Sequence, residues 1–189
     1  LKLPKYSVIQ AGVENIELIN GKKFTARIYV LLWNGQVYLF DDGFALIHGP
    51  QYQRGSTQYG VQVDHRGYQT GVGEVDMKLF SETSCFAKSM PKAKAALRQI
   101  LPIFQNTLNA TSTKRYLLLG IDLLPLENGA VKFVEINAIP NFVHSQRINQ
   151  QLNVHFFKHV MRVIYGLDSN RLLKVQPAVS PRVFVIKRT

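Results

Sequence analysis

The feature that most constrains the fold is an Asn-Gly pair between two strand-like runs. Asn34 and Gly35 separate FTARIYVLLW from QVYLFDD, and both runs are rich in β-branched and aromatic residues. Both central residues of a type I′ turn need positive φ, and Asn-Gly adopts that conformation readily. The pattern therefore predicts a β-hairpin over residues 24–42.

Apolar residues at helical spacing predict two helices, over residues 91–110 and 148–167. Pro91 is expected in the first turn of the first helix, and Pro102 is expected to kink or split it. Gly166 suits the end of the second helix, because glycine readily adopts the left-handed conformation found there.

The remaining segments predict more strands and one long loop. Residues 6–13 read as a strand, and residues 43–89 as an irregular region. A second antiparallel hairpin is expected from residues 115–126 and 130–136, joined by a short turn. The predicted fold class is α+β, with a mostly antiparallel sheet and flanking helices.

A chain of 189 residues can bury a sizeable core. We expect residues 1–167 to form one lobe, incomplete at its N-terminus, and residues 168–189 to be a peripheral extension. One cysteine, Cys85, excludes an internal disulfide framework and is typical of a reduced, cytoplasmic protein. No apolar run approaches the roughly 20 residues that span a bilayer, so no membrane partner is expected.

The net charge of +11 indicates an acidic partner. Nucleic acid, an anionic nucleotide and an acidic polypeptide would all be attracted. The basic residues are dispersed and no run of five occurs, so a merely solvated basic surface is the alternative. We do not expect nucleic acid to be the partner.

Three polar residues interrupt the second predicted hairpin. Asp122 lies on its first strand, and Glu135 and Asn137 lie two apart on its second. Residues two apart in a strand share a face, and the hairpin brings Asp122 close to them. Two carboxylates and an amide oxygen are hard ligands that suit Mg²⁺. Alternatively, Glu135 and Asn137 form a hydrogen-bonded pair at a strand end while Asp122 caps a turn.

These residues carry a family resemblance. GID at residues 120–122, EIN at 135–137 and Pro140 resemble the end of the nucleotide site in the ATP-grasp superfamily. The resemblance implies the C-terminal lobe of an ATP-grasp fold. It also implies that Asp122, Glu135 and Asn137 bind magnesium ions that bridge the phosphates of ATP.

The N-terminal part is similar to the tubulin–tyrosine ligase-like branch of that superfamily. The similarity rests on VIQ at residues 8–10 and KKFTAR at 22–27, and it covers about residues 6–165. It implies that Gln10 lies near the adenine, that Lys23 contacts nucleotide phosphate, and that Arg27 is a catalytic residue facing the reacting carboxyl groups. The family has an acidic residue where this chain has Thr25, so tubulin is not implied as the acceptor.

The activity implied is that of an ADP-forming amide ligase. ATP and Mg²⁺ would activate a carboxylate on an acidic peptide or protein as an acylphosphate, and an amino acid or another amine would attack it. One alternative is a catalytically inactive module that binds nucleotide, and the least favoured is a basic nucleic-acid-binding domain. From the residues alone, Lys23 could be solvated beside Lys22, and Arg27 could lie on the wet face of its strand.

Overall fold

The computed structural model describes residues 11–62, 75–104, 109, 114–142 and 144–176. Its strands are β1 (Leu18–Ile19), β2 (Lys22–Trp33), β3 (Gln36–Gln51), β4 (Asp76–Leu79), β5 (Tyr116–Pro125), β6 (Val131–Asn137) and β7 (Leu172–Val175). Its helices are α1 (Tyr59–Gln62), α2 (Phe86–Ile100) and α3 (residues 146–164), which is π-helical over Asn149–Asn153.

The strands form one seven-stranded sheet. Its main order is β4-β3-β2-β5-β6, with β1 on β2 and β7 on β3. Each of these pairings is antiparallel. The predicted α+β class with a mostly antiparallel sheet is therefore confirmed.

Both predicted hairpins are confirmed. Asn34 and Gly35 have φ of 52° and 73°, the positive values that a type I′ turn requires. They join β2 to β3. The β5–β6 hairpin carries Asp122 and the Glu135/Asn137 pair on its two strands.

The sheet has a hydrophobic cluster on each face, because alternate residues of β2 point in opposite directions. Phe24 and Ile28 pack with Leu97 of α2 on one face. Tyr29 packs on the other face against Phe156 of α3, with ring centroids 4.9 Å apart. The sheet is thus flanked by α2 and α3, and Arg27, which alternates with Ile28, lies on the α3 face.

The region predicted to be irregular is partly strand. β3 continues to Gln51, and β4 pairs with it. Residues 42–49 are all buried, so their sequence lacks the alternation of polar and apolar residues by which a half-exposed strand is recognised. The prediction of irregular structure over residues 43–89 was therefore wrong for residues 43–51, which belong to β3, and for residues 76–79, which form β4.

The predicted position of Pro91 is also wrong. α2 begins at Phe86, so Pro91 lies inside the helix rather than in its first turn. The earlier start is stabilised by tertiary packing, since the Phe86 ring lies 5.2 Å from Phe80, edge to face. The expected effect of Pro102 is confirmed, because α2 gives way there to a 3-10 turn at Leu101–Phe104.

The C-terminal part of the described chain contributes to the sheet. β7 lies within the segment predicted to be peripheral, yet Leu172 and Val175 are buried against the rest of the fold. Gly166, with φ of 74°, follows the end of α3 as expected. Within the described ranges, no helix is both long and apolar enough to cross a membrane. Most of the strand predicted at residues 6–13 lies outside those ranges.

Candidate functional site

Three charged residues form a row across adjacent strands on the α3 face. Arg27 of β2 is the direct cross-strand neighbour of Asp122 on β5, which is in turn the neighbour of Glu135 on β6. Arg27 donates two hydrogen bonds, from Nε to Oδ1 and from Nη2 to Oδ2 of Asp122, both 2.6 Å long. The side chains of Arg27 and Asp122 are only 15% and 14% exposed. The sheet therefore brings together the predicted catalytic arginine and the first predicted metal ligand.

Glu135 and Asn137 lie on the same face, as predicted. Asn137 donates a hydrogen bond of 3.0 Å from Nδ2 to Oε1 of Glu135. This hydrogen bond is the one expected if Glu135 and Asn137 form a structural pair at a strand end, which is the alternative to a metal site. It also directs the amide so that Oδ1 of Asn137 is the atom left to accept from another group. Asn137 is the cross-strand neighbour of Gly120, two positions along the hairpin from the charged row.

The pKa of the Asp122 carboxyl depends on its burial and on two charged neighbours. Burial raises the pKa of the Asp122 carboxyl, the Arg27 guanidinium lowers it, and the nearby Glu135 carboxyl raises it again. The net pKa is above the ordinary value for an aspartate. Two carboxylates opposite each other on adjacent strands repel, so positive charge close to both of them stabilises the pair.

The donor atoms fit a hard cation. Among the described residues, no three His, Cys, Asp or Glu side chains are grouped as a metal site. The set instead has two carboxylates and one amide oxygen. Mg²⁺ characteristically takes one or two carboxylates and keeps other positions for water and phosphate oxygens. Each oxygen of Asp122 that accepts from Arg27 retains a further lone pair. Asp122, Glu135 and Asn137 could therefore hold Mg²⁺.

Gly120 is packed closely against Pro140 and the side-chain stem of Arg27. A Cβ atom on Gly120 would lie 2.8 Å from Cβ of Pro140 and 3.3 Å from Cδ of Arg27. Only glycine leaves room for both neighbours, since side-chain atoms do not normally approach so closely. The glycine of GID thus leaves room both for the proline that follows EIN and for the stem of the arginine.

His144 extends the site toward α3. Its ring lies 4.5 Å from the Phe44 ring, and the guanidinium carbon of Arg27 lies 6.0 Å from that same ring. Nδ1 of His144 lies 3.0 Å from Nδ2 of Asn153 on α3, within hydrogen-bonding distance. Burial, and then the charge of Arg27, lower the pKa of His144 to about 4, against the weaker opposing effect of Asn153.

Lys23 lines an open groove beside the charged row. The groove has a volume of about 900 Å³, and its lining includes Lys23, Thr25, His48, Leu124 and Lys132. That volume lies within the range of small-molecule sites. Lys23 donates from Nζ to the Gln62 carbonyl oxygen at 2.5 Å, and burial lowers its pKa.

The predicted site residues thus fall into two neighbouring groups. Arg27, Asp122, Glu135 and Asn137 lie together, and Lys23 lies in the groove four residues from Arg27 along β2. Gln10 lies outside the described residues. Sequence reasoning missed Lys132, because simple alternation from Glu135 places it on the opposite face of β6.

Comparison with known proteins adds no family. No protein-family model matches the sequence, and no curated protein matches it either. A proposed function must therefore depend on the charged row, the groove and the motif resemblance.

Proposed function

We propose that the protein is an ATP- and Mg²⁺-dependent carboxylate–amine ligase of the ATP-grasp type, related to the tubulin–tyrosine ligase-like branch. The observation that carries the proposal is the direct cross-strand contact of Arg27, Asp122 and Glu135 beside Asn137 and the groove. The resemblance assigns magnesium or catalytic roles to these same four residues, which come from two segments about 95 residues apart.

The groove supports nucleotide as the ligand. It is large enough for a nucleotide, and Lys23 lines it on the same strand as Arg27. A half-buried lysine with a lowered pKa gains from a nearby anion, because the anion favours its charged form. A phosphate chain lying between Lys23 and the acidic pair would meet positive charge at both ends once Mg²⁺ is bound.

In the proposed reaction, the metal site and the Arg27–Asp122 pair would have different roles. Bound Mg²⁺ would neutralise charge on the phosphate oxygens as the terminal phosphoryl group moves to the acceptor carboxylate. Asp122 holds the Arg27 guanidinium in place through two hydrogen bonds, and Arg27 would orient that carboxylate. ADP leaves, the amine attacks the acylphosphate carbon, and phosphate departs as the amide bond forms and the amine loses a proton.

One observation favours a second candidate, a domain that binds nucleotide without ligation. Thr25 lines the groove where the resemblance expects an acidic residue. A hydroxyl cannot replace a carboxylate as a base or as a strong metal ligand. In that case the magnesium and phosphate contacts would remain and turnover would be absent.

Binding of Mg–ATP by calorimetry tests both candidates. We expect magnesium-dependent binding by the wild-type protein and a loss of at least about tenfold in the Glu135→Ala, Asn137→Ala double variant, since charged ligands contribute this much or more. Asp168→Ala, an exposed acid beyond α3, is the control and should bind normally. Equal binding by wild type and double variant would exclude the assigned metal site.

A second assay separates ligase from binding domain. ADP release would be measured with an acidic peptide and a mixture of amino acids as donors. Release that requires both peptide and amine supports the ligase. Saturable Mg–ATP binding without release under any donor supports the inactive module instead.

A further inference from the structure

Strand β6 contains an extra residue opposite β5. Asp122 pairs with Glu135, but the next residue of β5, Leu123, pairs with Phe133. Val134 is therefore the additional residue of a β-bulge, and its side chain is 57% exposed. Bulges redirect the side chains on one side of the irregularity and are frequent beside functional sites.

The bulge changes which face of the sheet receives Lys132. Phe133 packs against the core beneath α2, and Lys132 pairs with Leu124. Leu124 is two residues from Asp122 on β5, so both point to the α3 face. Regular alternation from Glu135 would instead have put Phe133 on that face and Lys132 in the core. The bulge thus places Lys132 on the same face as Glu135.

Lys132 and Lys23 lie on opposite sides of the same groove. Their strands, β6 and β2, are separated by β5, so the backbones are about 10 Å apart. Lysine side chains are long enough for both ammonium groups to reach one ligand between them. Along the sheet, the charged row lies about 7 Å from the position of Lys132 and about 13 Å from that of Lys23, which are the rises of two and four residues in a strand.

Among the described residues that line the groove, the other cation already has an acidic partner. Arg54 forms an ion pair of 2.8 Å with Glu14, and both side chains are more than two-thirds exposed. Glu127 lies at the side of the groove formed by the β5–β6 turn. The positive charge that faces the centre of the groove therefore comes chiefly from Lys23 and Lys132.

We propose that Lys132 is a phosphate-binding residue, and that it holds a polyphosphate chain together with Lys23 from across the groove. This inference rests on the proposed function for the identity of the ligand, a nucleoside triphosphate. The anion-binding role itself depends only on the bulge and the groove. Lys132 would contact phosphate oxygens and not the base or sugar.

The test compares two probes, Mg–ATP and inorganic tripolyphosphate, by calorimetry. Lys132→Gln should weaken the binding of both by about tenfold or more, since a charged hydrogen bond is lost. Lys132→Arg should retain most of the affinity because the charge remains. Lys174→Gln removes an exposed lysine from β7 and should change nothing. Thermal unfolding of each variant checks that the fold is intact.

The two probes make the outcomes distinguishable. If Lys132→Gln binds Mg–ATP as the wild type does, the role of Lys132 is refuted and the proposed function stands. If the wild type binds tripolyphosphate through Lys132 but does not bind Mg–ATP, the proposed function fails and the anion site stands. If the wild type binds neither probe, both are refuted.

Discussion

Replacing Arg27 with methionine should destabilise the protein chiefly through the loss of its ion pair with Asp122. Arg27 donates two side-chain hydrogen bonds to Asp122, each 2.6 Å long, and neither side chain is more than 15% exposed. Methionine keeps much of the aliphatic stem that packs over Gly120, so the main loss is the charge. Asp122 would then face Glu135 without the guanidinium that now donates to it.

The magnitude follows from the burial of the pair. Removing one member of a buried ion pair costs about 3–5 kcal/mol, and exposed pairs contribute about 0–1 kcal/mol. Water still reaches part of both Arg27 and Asp122, so we expect a loss near the lower limit for buried pairs, about 3 kcal/mol. Arg54→Met is the matched control, because the Arg54–Glu14 pair is 69% and 67% exposed and should contribute much less to stability than the Arg27–Asp122 pair.

Urea unfolding followed by circular dichroism measures the free energy of unfolding of each variant at pH 7. A double-mutant cycle with Asp122→Asn should give a coupling of about 2 kcal/mol between positions 27 and 122. The cost of Arg27→Met should also shrink as the pH falls through the raised pKa of Asp122, because a protonated carboxyl needs no cation.

Two results would contradict this reasoning. One is a loss for Arg27→Met no larger than that for Arg54→Met. The other is additivity of Arg27→Met and Asp122→Asn, which would mean that the two side chains act independently despite their contact.

Three further predictions concern positions around the same site. The pKa of His144 is about 4 in the fold and 6.5 in an unfolded chain, so the unfolded chain takes up the proton first as the pH falls. The free energy of unfolding should therefore decrease between pH 6.5 and pH 4, by about 3 kcal/mol at most. His144→Gln should flatten that part of the pH–stability profile. Gly43→Ala places a Cβ 2.1 Å from the Arg27 carbonyl oxygen and should cost about 1–3 kcal/mol or more in urea unfolding, whereas an unchanged midpoint would show that β3 can shift. Gly120→Ala brings a Cβ to 2.8 Å from Pro140 and should weaken both Mg–ATP binding and stability. Normal Mg–ATP binding by this variant would show that the packing of the Arg27 stem against Gly120 is not needed for the site.

Part of the site could be predicted because its determinants are local. Glu135 and Asn137 are two residues apart in a strand, and that spacing by itself places both on one face. The β5–β6 hairpin was predictable from two apolar runs around a short turn, and it accounts for the closeness of Asp122. The contact between Arg27 and Asp122 was not predictable from spacing, because it requires β2 and β5 to be neighbours although 95 residues separate the pair.

The sequence by itself determined the elements whose cause is a local conformational preference. Asn34-Gly35 makes the first hairpin because these residues tolerate positive φ, and Gly166 follows the end of α3 for the same reason. Tertiary structure decided what depends on neighbours that are distant in the chain. It extended β3 because both of its faces are covered, and it placed Pro91 inside α2. It also turned Lys132 into the groove, because the β6 bulge shifts the pairing with β5 by one residue and a shift of one exchanges the two faces of a strand.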